Sequence, residues 1–118
     1  MADLLSFIKR QHVRNVVWVS ADVHHASATH YQPQRAKFSD FKPFWEFVGG
    51  PLNAGTFGPE VKFTSLPAGT APNRPPRDGL QFFGIGRIDA QQQSLTMSLH
   101  DVSGKTLFKG ELPVESCR

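Results

Sequence analysis

The sequence predicts an α+β chain, and three observations carry that expectation. Val16, Val17, Trp18 and Val19 form one short apolar run, and a helical stripe precedes it. Residues 80–112 divide into three strand patterns separated by turn residues. Between these regions lies a polar, aromatic and proline-rich stretch with no second run of the first kind. Short β-branched runs bounded by turn signals read as strands, whereas apolar residues three and four apart mark a helix face. At 118 residues the chain is expected to form one unit, 1–118. Along it come an αβ unit at 1–25, an aromatic cover segment at 26–66, a proline-rich loop at 67–79 and a β meander at 80–113.

Asp3 is placed to cap a short helix on which Leu4, Leu5, Phe7 and Ile8 share a face. Lys9, Arg10 and His12 follow near its C-terminal end, where the macrodipole favours positive charge. Asn15 breaks the helix and opens the strand at 16–19. An unbroken apolar run predicts burial on both faces, which requires neighbouring strands. No similar run follows, so the partner sheet is expected to be missing from these residues. Tyr31 to Arg35 reads as loop. Pro43 at a first turn and Gly49-Gly50-Pro51 as a stop frame a short helix at 43–48. Phe38, Phe41, Phe44, Trp45 and Phe47 would pack this segment onto a body, since each ring buries a large apolar area.

A short strand is expected at 61–64, followed by an extended surface loop at 67–79 with four prolines. Strands are then predicted at 80–88, 95–99 and 106–112, with turns at 89–93 and 101–104. Leu95, Met97 and Leu99 alternate with Thr96 and Ser98, so one face of the meander should be buried and the other wet.

Composition excludes several function classes. The formal net charge is +3, and the basic residues are scattered apart from Lys9, Arg10 and Arg14. No stripe tracks a phosphate backbone, so nucleic-acid binding is not expected. Cys117 is the single cysteine, which rules out an internal disulfide and a C-x-x-C site. No apolar run is long enough to cross a membrane, and no membrane partner is expected. The first residues carry no positive region followed by an apolar one, so no secretory signal is read there. Nucleophile elbow, Walker loop and dinucleotide fingerprint are all absent from the sequence. Gly84 and Gly86 lie inside a strand pattern and mark close backbone approach rather than a phosphate cradle.

The chemistry-bearing residues follow the apolar run. Asp22 and His24 are two apart at a strand end, where carboxylate oxygen and imidazole nitrogen can converge on one ion. His25 and His30 are possible neighbours of that site. With His24 they would form a three-histidine zinc site, although the spacing is not that of a closed structural finger. No complete catalytic set is present in these residues. A small histidine-based zinc-binding protein and a non-catalytic oligomerising or partner-binding module are therefore open alternatives to an enzyme.

Val17-Trp18-Val19-Ser20-Ala21-Asp22-Val23-His24, with His30-Tyr31, Pro33 and Arg35-Ala36 after it, resembles the last third of the alkaline phosphatase D (PhoD-type) family. So do Phe44-Trp45-Glu46-Phe47-Val48, Gly50-Pro51-Leu52, Ala54-Gly55-Thr56-Phe57-Gly58-Pro59 and Gly79-Leu80-Gln81-Phe82-Phe83-Gly84. The resemblance runs in order from about Val16 to Leu112 and corresponds to the C-terminal portion of longer family members. It implies part of a metallophosphoesterase-type α/β sandwich with a multinuclear centre of iron and calcium. Asp22 matches the ligand on the calcium side and His24 the ligand on the iron. His25 stands where relatives carry an aromatic residue, so no ligand role is carried onto it. The implied reaction is metal-assisted hydrolysis of a phosphoester by an activated water. A second-sphere acceptor for the other ring nitrogen of His24 is required, and the sequence does not identify it. The family's upstream ligands have no counterpart here, so the chain alone is expected to bind metal weakly and to be inactive. An exposed sheet edge should favour self-association. Intact family members are usually exported, to the periplasm or the exterior.

Overall fold

The computed structural model describes residues 1–56 and 81–115. The strand expected at 61–64 and the proline-rich loop expected at 67–79 lie outside the described residues. The class is α+β: among the described residues there are one α-helix, a 3-10 turn at Pro33–Arg35 and two three-stranded sheets.

Helix α1 spans Ala2–Arg10. Met1 is its N-cap, and Asp3 lies inside the first turn rather than at the cap, where its charge still complements the exposed N–H groups. Lys9 and Arg10 occupy the last turn as expected. The helix ends in a left-handed residue, His12 at φ 54°. The amide of His12 donates to the Lys9 carbonyl and that of Val13 to the Ile8 carbonyl, both at 3.1 Å. These two bonds are those of a Schellman ending with histidine in the place glycine usually takes. Asn15 (φ 57°) then redirects the chain into the first strand.

Three strands build the first sheet: β1 Val17–Ser20, β2 Ala26–Tyr31 and β3 Phe44–Gly49, in the order β1-β3-β2. β1 pairs parallel with β3, matching Val17 to Trp45 and Ser20 to Val48. β2 pairs antiparallel with β3, matching Ala26 to Gly49 and Tyr31 to Phe44. Two expectations are corrected here. The segment expected as a helix at 43–48 is the central strand of the sheet, so the parallel neighbour of β1 comes from this chain itself. Ala26–Tyr31, which opens the expected cover segment at 26–66, is a strand as well. The burial of β1 is also corrected. It is an edge strand, and Val19 is 74% exposed because the second sheet does not reach over it.

The second sheet is the expected meander: β4 Phe82–Asp89, β5 Ser94–Asp101 and β6 Thr106–Pro113, all antiparallel with β5 central. Asp89 Oδ1 accepts the amides of Gln91 and Gln92, and Asp101 Oδ1 accepts those of Ser103 and Lys105. Both hairpin turns thus close on a carboxylate bonding its own following backbone. Met97 and Leu99 are buried on the face predicted from the alternation.

The core lies between the two sheets. Ala26, Ala28 and Phe47 meet Phe82, Met97 and Leu99, with Val17, Trp45, Leu95 and Phe108 packed around them. The two alanines leave room for the Phe47 ring, which is 1% exposed and sits 5.9 Å from the Phe108 ring. Where β3 leaves the sheet, Gly50 takes φ 77°, and the Phe82 amide donates to the Pro51 carbonyl at 2.9 Å. That bond joins the end of the first sheet to the start of the second. On the far face of the first sheet Phe44 gathers Trp18, Tyr31 and Phe41, with ring centres 5.9, 4.9 and 5.7 Å away. α1 is tied on this side through Ser6 and Lys9, which both bond the Asp40 carboxylate.

Candidate functional site

β1 and β2 run in opposite directions with β3 between them, so residues 21–25 must cross the C-terminal end of β3 and reverse. The span across two strand spacings is about 10 Å, and five residues must cover it while turning. Two of them, Asp22 (φ 78°) and His24 (φ 52°), take the left-handed conformation. Aspartate and histidine tolerate it better than most residues, yet such positions cost of order 1–3 kcal/mol and gather at functional sites. The crossing loop therefore carries Asp22 and His24, with His25 beside them, at the end of a parallel strand pair. Ligands of α/β sheets sit characteristically at such ends.

The Asp22 side chain is exposed and His24 is half-buried. The His24 Nδ1 atom lies 2.6 Å from the Gly55 carbonyl oxygen. A carbonyl oxygen only accepts, so Nδ1 carries the hydrogen and the ring's lone pair is on Nε2 in its neutral form. His25 shows the same pattern within the loop, its Nδ1 donating to the Val23 carbonyl at 2.7 Å. Gly55 is the acceptor that the sequence left unidentified. No spacing rule pairs residue 24 with residue 55, and the only signal was the small, turn-rich run Asn53-Ala54-Gly55. Next to it, Thr56 is entirely buried, and its hydroxyl has no hydrogen-bond partner among the described residues.

His30 is placed elsewhere. It pairs with Trp45 and stacks on that ring at 4.8 Å, level with Val17 at the start of β1 rather than with Ser20 at its end. Three residues of strand put it about 10 Å back along the sheet. Among the described residues no group of three His, Cys, Asp or Glu side chains is arranged to hold a metal, so the three-histidine zinc site is not found there. Asp40 and Glu46 bond to separate partners. Lys9 and Ser6 bond the Asp40 carboxylate and hold its pKa below the usual value. Glu46 accepts the hydroxyls of Ser20 and Tyr31.

As a metal site the loop fits in part. One carboxylate and one imidazole with its tautomer set are donors of the right chemistry for a transition or alkaline-earth cation. They are two donors, where a closed site needs four or more. A cavity of ≈ 260 Å³ lies apart from them between α1 and the sheet, lined by Leu5, Ile8, Trp18, Phe41 and Phe44 among others.

A family model described as PhoD-like phosphatase matches residues 1–99. No curated protein and no solved structure matches.

Proposed function

The chain belongs to the PhoD-like phosphatase family, and from that premise we propose that it forms the C-terminal part of a metal-dependent phosphoester hydrolase, supplying the last ligand pair of the centre. The observation that supports this most is the loop at 21–25. It sets Asp22 and His24 at the end of a parallel strand pair, in strained backbone, with His24 Nδ1 committed to the Gly55 carbonyl. A histidine that ligates a metal through one nitrogen is oriented by a bond from the other.

In this reading His24 Nε2 would hold an iron ion and the Asp22 carboxylate a calcium ion, a softer-to-harder division that suits imidazole and carboxylate. The bound cations would lower the pKa of a water and neutralise the phosphoryl oxygens. The chain's own residues hold and orient. Asp22 contributes negative charge where phosphate approaches, and Gly55 keeps the His24 ring from turning. Two ligands do not assemble the full centre, so the 118 residues alone are inactive and bind metal weakly. Export of the intact protein is part of the same proposal.

The purified chain, supplied with iron and calcium, is expected to hydrolyse aryl phosphate mono- and diesters at background rate. Hydrolysis above background that Asp22→Asn abolishes would overturn the claim of inactivity. Calorimetric titration with a divalent cation should give weak binding that Asp22→Asn and His24→Ala each remove. Binding unaffected by either change would remove both residues from the ligand set.

A second reading concerns partners. Among the described residues the outer edge of β1 has no neighbour, and Val19 is 74% exposed on the face where Phe47 is buried. An open edge beside uncovered apolar surface favours strand pairing with another copy.

A further inference from the structure

Gly55 and Thr56 lie 31 and 32 residues beyond His24, on the segment that follows β3, and they are not themselves donors to any ion in the proposed site. We propose that they form a positioning device: the Gly55 carbonyl, anchored by the buried Thr56 side chain, holds His24 as the Nδ1–H tautomer and so makes Nε2 its donor nitrogen. This rests on the phosphohydrolase reading only for what the donor nitrogen is used for.

Three facts support it. The bond from Nδ1 to the Gly55 oxygen is short, 2.6 Å, and only one direction of donation is open to it. His24 holds a left-handed backbone at φ 52°, so its side chain leaves the loop in a direction that the surroundings must maintain. Thr56 is 0% exposed, and among the described residues its hydroxyl has no partner. An unpaired buried hydroxyl costs free energy rather than supplying it. What Thr56 contributes is therefore its branched bulk, seated in the interior next to the carbonyl that His24 uses. Glycine at 55 gives the chain no stiffness of its own, so the neighbouring anchor sets where the carbonyl points.

The device makes a distinction between substitutions that a general packing role would not. Thr56→Val keeps the bulk and removes the unpaired hydroxyl. Thr56→Ala removes the bulk. The test is a long-range proton–nitrogen correlation spectrum of the imidazoles in the ¹⁵N-labelled 118-residue chain without metal, at a pH where the rings are neutral. The signals of His24 are assigned by their loss in His24→Gln. The wild-type chain should show His24 as the Nδ1–H tautomer, Thr56→Val should match it, and Thr56→Ala should give an averaged mixture. His25, whose Nδ1 is held inside its own loop, should keep its tautomer in all three.

An Nε2–H tautomer at His24 in the wild-type chain overturns the proposal, and needs no variant to fold. A folded Thr56→Ala chain with His24 unchanged overturns the role of Thr56. Zinc added to the same samples separates this inference from the function proposed above. A shift of His24 Nε2 that weakens about 10-fold or more in Thr56→Ala ties the device to metal binding. An unmoved Nε2 in a correctly tautomeric His24 removes the ligand reading and leaves the positioning device standing.

Discussion

Glu46 receives hydroxyl hydrogens from both flanking strands, from Ser20 at 2.7 Å and from Tyr31 at 2.9 Å. Burial, then the bond to Glu46 and its negative charge, push the Tyr31 pKa up to about 12. Because Tyr31 is the single tyrosine, an alkaline absorbance titration reads this residue alone. Its midpoint is expected near 12 and should fall in Glu46→Gln while staying above 10, since burial is the largest cause. A folded-state pKa above the unfolded value means the contribution to stability is complete below pH 10 and is lost as pH rises through about 12. Asp40 behaves in the opposite sense. Bonds from Lys9 and Ser6 lower its pKa, so what it adds to holding α1 is present above the ordinary carboxylate value and is lost as pH falls through the depressed one. Acid titration should therefore release the helix before the sheets melt, and Asp40→Asn should remove that early step from the far-ultraviolet dichroism.

The element on which most depends is β3. It pairs with both other strands of its sheet, and its alternate side chains fill both faces: Trp45 and Phe47 toward the second sheet, Phe44 and Val48 away from it. Phe47→Ala should cost about 3–5 kcal/mol in urea unfolding, as expected for an aromatic ring lost from a core, and that is a large share of the stability of a small domain. Gly50, just past the end of β3, is tested by a smaller change. At φ 77° an added Cβ would come 3.0 Å from the Phe82 ring and 3.2 Å from the Ala26 amide nitrogen. Gly50→Ala is expected to cost roughly 1–2 kcal/mol from the left-handed backbone alone, with the crowding added to it. A Gly50→Ala chain as stable as the wild type would mean that the junction between the sheets yields freely.

At the scale of the whole molecule, the two sheets close a core over β2 and β3 and leave β1 at the margin. If that edge recruits a second copy, light scattering after size exclusion should show a concentration-dependent dimer, and Val19→Lys should return it to monomer. A monomer at all concentrations would mean the edge is satisfied without a partner, and the self-association reading would be withdrawn. Neither outcome bears on Asp22 and His24, which follow the end of β1 rather than lining its side.

Local signals determined a good part of this. The meander was legible because one of its faces is wet, so that Leu95, Met97 and Leu99 alternate with polar neighbours and Asp89 and Asp101 mark the turns. The helix and the strand at Val17–Ser20 were legible too, each from a run of adjacent residues. Tertiary structure decided β3, because a central strand covered on both faces loses its polar alternation. Phe44-Trp45-Glu46-Phe47-Val48, framed by proline and glycine, then satisfies a helix reading as well as a strand one. It decided β2, where Ala26 and Ala28 have little strand preference of their own and are held by the space that Phe47 leaves. It decided that Val19 is exposed, since the edge of a sheet is a property of its neighbours. The bond from His24 to Gly55 belongs to the same class. Residues 31 positions apart meet only because the loop after β1 and the segment after β3 leave the sheet at one end, and no periodicity along the chain records that meeting.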